Sequence, residues 1–144
     1  IYVLYPAAPP WYVMSHGPGP ADPAAIASPA GAARFDELLG ITFFANFYAR
    51  NPNVFGAMPS LHAAYPTLVA CHVWRFGWRF RIPAVAFALL VGFSAVYLRH
   101  HYVLDVLAGV AVSLVATGAL AVAEQWWSRR QVAAVAPSLS GQAS

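Results

Sequence analysis

Apolar positions in this chain gather into three long runs, and the polar residues that break the pattern collect at the ends of those runs. The runs cover residues 60–76, 82–98 and 101–127. The second, ending at Leu98, is almost uniformly apolar, and the third closes on Trp126 and Trp127, aromatics suited to a membrane–water interface. The first is short for a span and carries Pro66, which membrane helices accommodate when neighbours satisfy the freed carbonyl. Each run reads as a helix crossing the roughly 30 Å of bilayer hydrocarbon.

Upstream of these runs the pattern changes twice. Residues 1–12 read as the end of a helix that Pro6, Pro9 and Pro10 stop, with Trp11 and Tyr12 at the interface. Residues 13–59 read as a loop outside the membrane, rich in Pro, Gly and Ala at first. Over residues 34–50 that loop changes character. Phe35, Leu38, Leu39, Thr42, Phe43, Asn46 and Phe47, mostly apolar, recur at helical spacing, with Asp36 and Glu37 in the first turn, where the helix dipole favours acids. The pattern predicts an amphipathic helix that lies along the membrane surface or packs on other protein. Residues 131–144, mostly Ala, Ser and Gln, have little to bury and are expected to be a disordered tail.

The expected fold is therefore an all-α integral membrane bundle. It has about three transmembrane helices, the tail of a preceding one, and an interfacial amphipathic helix. The chain starts on Ile1 with neither Met nor a charged leader, so residues 1–130 are read as the C-terminal half of a longer membrane domain.

Composition agrees with this reading and adds an orientation. Hydrophobic residues make up 60% of the chain and charged residues 9%, against roughly a quarter charged in soluble domains. The net charge of +3 comes from eight Arg and no Lys. Arg75, Arg79, Arg81, Arg129 and Arg130 fall on one side of the expected spans, and Arg34, Arg50 and Arg99 on the other. The positive-inside rule makes the first side cytoplasmic, so the polar mouths of the first and third runs face outward, from a plasma (cytoplasmic) membrane. The basic residues form no continuous stripe, which argues against a nucleic-acid partner. Cys71 is alone in an apolar run and reports nothing on redox compartment. Oligomeric state leaves no signature.

Two short strings at those mouths carry the candidate chemistry. On a continuous helix His101 and Asp105 lie one turn apart on one face, so Asp105 is expected to accept the Nδ1 proton of His101 and leave Nε2 free as a base or nucleophile. Asp105, Gly109, Ser113 and Thr117 form a small or polar stripe that turns Asp105 into the bundle. In the other string, Ser60 suits a helix N-cap, where free backbone N–H groups cradle an anion, and His62 stands near as a proton donor. The parts fit a double displacement at phosphorus. His101 attacks, His62 protonates the leaving oxygen, and water or an alcohol resolves the phosphohistidine.

The strings Ala57-Met58-Pro59-Ser60-Leu61-His62-Ala63-Ala64 and His100-His101-Tyr102-Val103-Leu104-Asp105, running on to Gly109, resemble the second and third signature motifs of the type 2 phosphatidic acid phosphatase superfamily. Within it they are most similar to the branch containing the inositol phosphorylceramide synthases. Tyr5 to Pro10 also resembles a proline-rich stretch of that branch. The resemblance covers residues 1–127. It implies a lipid phosphatase or headgroup phosphotransferase with its site on the extracytoplasmic face, acting on a phospholipid or other lipid phosphate. It further implies His101 as nucleophile, Asp105 as its orienting acid, His62 as general acid, Ser60 as phosphate ligand, and no metal or other cofactor.

The chain departs from the phosphatase pattern at two places. Ala95 stands where the family has an Arg six residues before the nucleophile, and the first signature, which needs a Lys, has no counterpart. Arg99 is the candidate replacement cation for the phosphate. Two other readings compete. One is an inactive relative that uses the His–Asp pair as glue between helices. The other is a metal- or haem-binding membrane subunit with His62, His100, His101 and Asp105 as ligands, which requires at least three of them to converge.

Overall fold

A computed structural model describes residues 6–50 and 54–140 of the chain. Among the described residues six α-helices follow in order: α1 (Pro10–His16), α2 (Ala33–Leu39), α3 (Phe43–Ala49), α4 (Leu61–Val73), α5 (Trp78–Tyr97) and α6 (Val103–Ser140). The protein is an all-α membrane protein. α5, and α6 as far as Gln131, are long and apolar enough to cross a bilayer. α4 has 13 residues, a length of about 20 Å at 1.5 Å per residue. A single 3₁₀ turn, Trp74–Phe76, extends it before Gly77, at φ +93°, turns the chain into α5.

α4 packs along both α5 and α6, which touch each other much less. The close side is the seam with α6. Asp105, Gly109 and Ser113 are buried there and Thr117 is half-buried, so the small and polar stripe of the sequence faces α4. Gly109 is required by contact rather than by backbone freedom, because a Cβ at that position would overlap the Ser60 carbonyl oxygen. Ser113 Oγ donates to the Ala64 carbonyl at 2.8 Å, and the Ser60 N–H donates to the Asp105 carbonyl at 2.9 Å. These bonds tie the first turns of the two helices together.

Three local features differ from the sequence reading. Pro10 begins α1 rather than ending a helix, since its missing N–H is not needed at a first helical position and its φ is already helical. The rest of that reading, residues 1–5, lies outside the described residues. The amphipathic helix over 34–50 is two helices, divided where Gly40 takes φ +64° and closes α2. Asp36 then acts on the next helix rather than its own. Its carboxylate oxygens accept the N–H groups of Phe44 (3.0 Å) and Ala45 (2.8 Å), filling the role of an N-cap for α3 from a distance. Finally, α6 continues to Ser140, through Ala133, Ala134 and Ala136, residues of the strongest helix-forming type. Residues 141–144 of the expected tail lie outside the described residues.

The N-terminal segment braces the mouth of the bundle. Ala7 exchanges backbone bonds with Phe55 and Ala57, and the Trp11 N–H donates to the Arg99 carbonyl. The loops before α4 and before α6 are thereby held side by side.

Candidate active site

The site forms where those two loops meet. His100 and His101 lie in the turn between α5 and α6, and both backbone N–H groups donate to the Ala95 carbonyl. His101 thus precedes α6 rather than belonging to its first turn, and its bonding differs from the helical i, i+4 expectation. Nδ1–H donates to the Ala57 carbonyl at 2.8 Å, whereas the nearer Asp105 oxygen is 3.7 Å away. Asp105 Oδ2 accepts the Tyr102 N–H at 2.8 Å, the reciprocal half of a capping box that starts α6. The carbonyl orients the ring, and Asp105 stands within ion-pair distance for the moment the imidazole becomes charged.

This arrangement fixes the tautomers. A carbonyl can only accept, so His101 Nδ1 carries the proton and Nε2 of the neutral ring carries the lone pair. His62 Nδ1 lies 3.0 Å from that Nε2. It must therefore be the donor, so a lone pair and an N–H face each other across one hydrogen bond. Burial, followed by the His62 charge, lowers the His101 pKa, against the smaller opposing effects of the Ala57 bond and Asp105. Burial pushes His100 down further, to about 4, with His62 and His101 adding to the effect. Both rings are neutral at pH 7.

A cavity of about 250 Å³ opens over the pair, lined among others by Trp11, Tyr48, Ala57, His62, His100 and His101. Of the sequence-predicted residues, the fold brings His62 and His101 into contact and places Asp105 behind them. Ser60 is the N-cap residue of α4 and is fully buried, and its Oγ has no hydrogen-bond partner among the described residues. Arg99 is not brought in. Its side chain is exposed and does not border the cavity, and its backbone sits at φ +64° in the turn. No arginine is among the described residues lining the cavity.

Two residues of the site escaped the sequence reading. Ala57 acts through its carbonyl, for which no side-chain signal exists. Tyr48 stacks on His100 with ring centroids 4.7 Å apart and planes 6° from parallel. It lies off the apolar stripe of the 34–50 segment, so periodicity does not single it out.

Known proteins resemble the chain over most of its length. The chain is 40% identical over 117 residues to the phosphoinositol dihydroceramide synthase of Bacteroides thetaiotaomicron, covering 78% of this chain and 37% of that protein. It is 38% identical over 117 residues to the inositol phosphorylceramide synthase of Candida albicans, covering 79% of this chain and 24% of the relative. With the inositol phosphorylceramide synthase catalytic subunit of Schizosaccharomyces pombe it shares 35% over 115 residues, 80% of this chain and 27% of that one. The chain spans well under half the length of these curated relatives. No solved structure matches it significantly. The PAP2 superfamily model matches residues 1–119, and the chain belongs to that superfamily.

Proposed function

We propose that the protein is a lipid headgroup phosphotransferase working through a phosphohistidine on His101. The observation that carries the reading is the 3.0 Å bond between His62 Nδ1 and His101 Nε2. A phosphodiester entering the cavity replaces that bond, with phosphorus at Nε2 and its leaving oxygen at Nδ1–H. The Nε2 lone pair forms the P–N bond, the P–O bond to the diacylglycerol oxygen breaks, and His62, entering the step as an imidazolium, gives its Nδ1 proton to that oxygen and is left neutral. His101 then holds the phosphoryl group as an imidazolium, whose charge Asp105 offsets while Ala57 retains the Nδ1 proton. In the second half, His62 takes the proton of an acceptor hydroxyl, the new P–O bond forms, and the P–N bond breaks.

Ser60 is the proposed phosphate ligand, on the strength of its unpartnered hydroxyl beside the cavity-lining Leu61 and His62; it is fully buried and does not itself border the cavity, so the role requires the substrate to open the wall at the head of α4. The names of the relatives favour phosphoinositol as the transferred group and a ceramide as the acceptor. Arg75 in the 3₁₀ turn after α4, and Arg79 and Arg81 in the first turn of α5, lie at the far end of α4 from His62, which supports an extracytoplasmic site.

The test is headgroup transfer by the intact protein in detergent, with phosphatidylinositol and a ceramide, read by mass spectrometry with and without chelator. Transfer that survives chelator and vanishes in His101→Ala is expected. Wild-type turnover in His101→Ala refutes the mechanism, and turnover stopped by chelator moves the site to the metal-binding reading.

A further inference from the structure

His100 is the cavity residue that the reaction above leaves unused. The residue is 7% exposed, borders the same cavity as His62 and His101, and has a buried Nε2 with no hydrogen-bond partner among the described residues. Buried polar atoms are nearly always satisfied, so an orphan at the edge of a binding cavity points to a partner that arrives with the substrate. The ring is not idle packing left to rotate. Tyr48 stacks flat against it, α3 carries Tyr48, and the Asp36 carboxylate fastens the start of α3. Through Tyr48 and Asp36, α3 and α2 hold one imidazole in one orientation.

The environment also selects the partner. His100 is enclosed and has His62 and His101 as neighbours, so it is a neutral hydrogen-bonding group rather than a substitute for the family's phosphate cations. A neutral imidazole nitrogen matches a hydroxyl. The hydroxyl-bearing group that remains on phosphorus through both half-reactions is the headgroup, and it needs a site beside the nucleophile, which is where residue 100 is placed by its sequence neighbour.

We propose that His100 Nε2 hydrogen-bonds a hydroxyl of the polyol headgroup on the transferred phosphate and makes His100 a specificity residue of this cavity; the proposal rests on the phosphotransferase reading. The test compares two phosphodiester donors in the intact protein: phosphatidylinositol, and phosphatidylethanol, whose headgroup has no hydroxyl. Three variants are assayed. His100→Phe keeps a ring against Tyr48 without the nitrogen, and His100→Gln and His100→Met share a shape but only Gln can hydrogen-bond. On phosphatidylinositol, kcat/KM is expected to fall on the order of 10- to 100-fold in the Phe and Met variants, the usual effect of losing one buried hydrogen bond. Gln is expected to recover most of it. On phosphatidylethanol the Gln and Met variants should not differ from each other and the losses should be much smaller than on phosphatidylinositol, and KM for the acceptor should not move.

Equal losses on both donors, or Gln no better than Met, assign His100 a structural role and overturn the proposal. A change in acceptor KM alone assigns it to the acceptor and overturns it equally. Wild-type transfer with unchanged variants refutes this inference while leaving the phosphotransferase reading intact, whereas a wild type that transfers from neither donor refutes both.

Discussion

Replacing Gly109 by Ala should damage catalysis from a position that touches no substrate. The added Cβ would meet the Ser60 carbonyl oxygen and sit 3.3 Å from the Ala63 Cβ. A backbone atom cannot swing aside, so α6 must part from α4 by about an ångström, an overpacking that typically costs about 1–3 kcal/mol. Ala gains about 1 kcal/mol over Gly in helix propensity, so the net loss of stability is small. Catalysis is the sharper readout. His62 rides on α4 and His101 on the turn into α6, so the same movement opens their 3.0 Å contact. A misplacement of about 1 Å at reacting groups costs on the order of 100-fold in rate, close to 2.7 kcal/mol in the barrier. Gly118→Ala is the control, because nothing lies within 4 Å of a Cβ at that position on the same helix. Headgroup transfer is measured for both variants, with melting temperature alongside. Wild-type turnover in Gly109→Ala would refute the claim that the α4–α6 seam sets the His62–His101 distance.

Two further predictions follow from other parts of the site. Asp36→Ala removes both acceptors from the Phe44 and Ala45 N–H groups, which should cost about 1–2 kcal/mol, as lost N-caps do, and free α3 to lift Tyr48 from His100. Thermal unfolding and a rise in KM for the donor would show it, and an unchanged KM would uncouple α3 from the cavity. The second concerns acid. His100 and His101 have folded pKa values below their unfolded value near 6.5, so the unfolded chain binds more protons in between. The stability they contribute is complete above about pH 6.5 and is lost as pH falls toward the His100 value of about 4. Melting temperature measured from pH 7.5 to 4 should decline in that window, and His100→Phe should flatten part of the decline.

The sequence alone determined whatever depends on one element at a time. Uniform apolar character over 82–98 and 101–127 dictates helices that cannot remain in water. The four-residue repeat of Asp105, Gly109, Ser113 and Thr117 marks one face of a helix before any partner is known, and that face does meet α4. Two histidine motifs, one at the head of α4 and one just before α6, already mark the residues that the fold brings into contact, His62 and His101. Tertiary structure decided what depends on where elements end and what crosses between them. α6 starts at Val103, two residues later than a helix containing His101 requires, so the Nδ1 proton goes to a carbonyl 44 residues away instead of to Asp105. Gly40 divides a segment whose apolar spacing is continuous, because a left-handed residue interrupts a helix without disturbing the pattern of faces. The exposure of Arg99 and the enclosure of its neighbour His100 are equally invisible in the string, since both follow from the path of one turn packed against residues 11 and 48. Periodicity records which face of a helix is buried, but only the packed chain determines which carbonyl, ring or carboxylate waits on the other side.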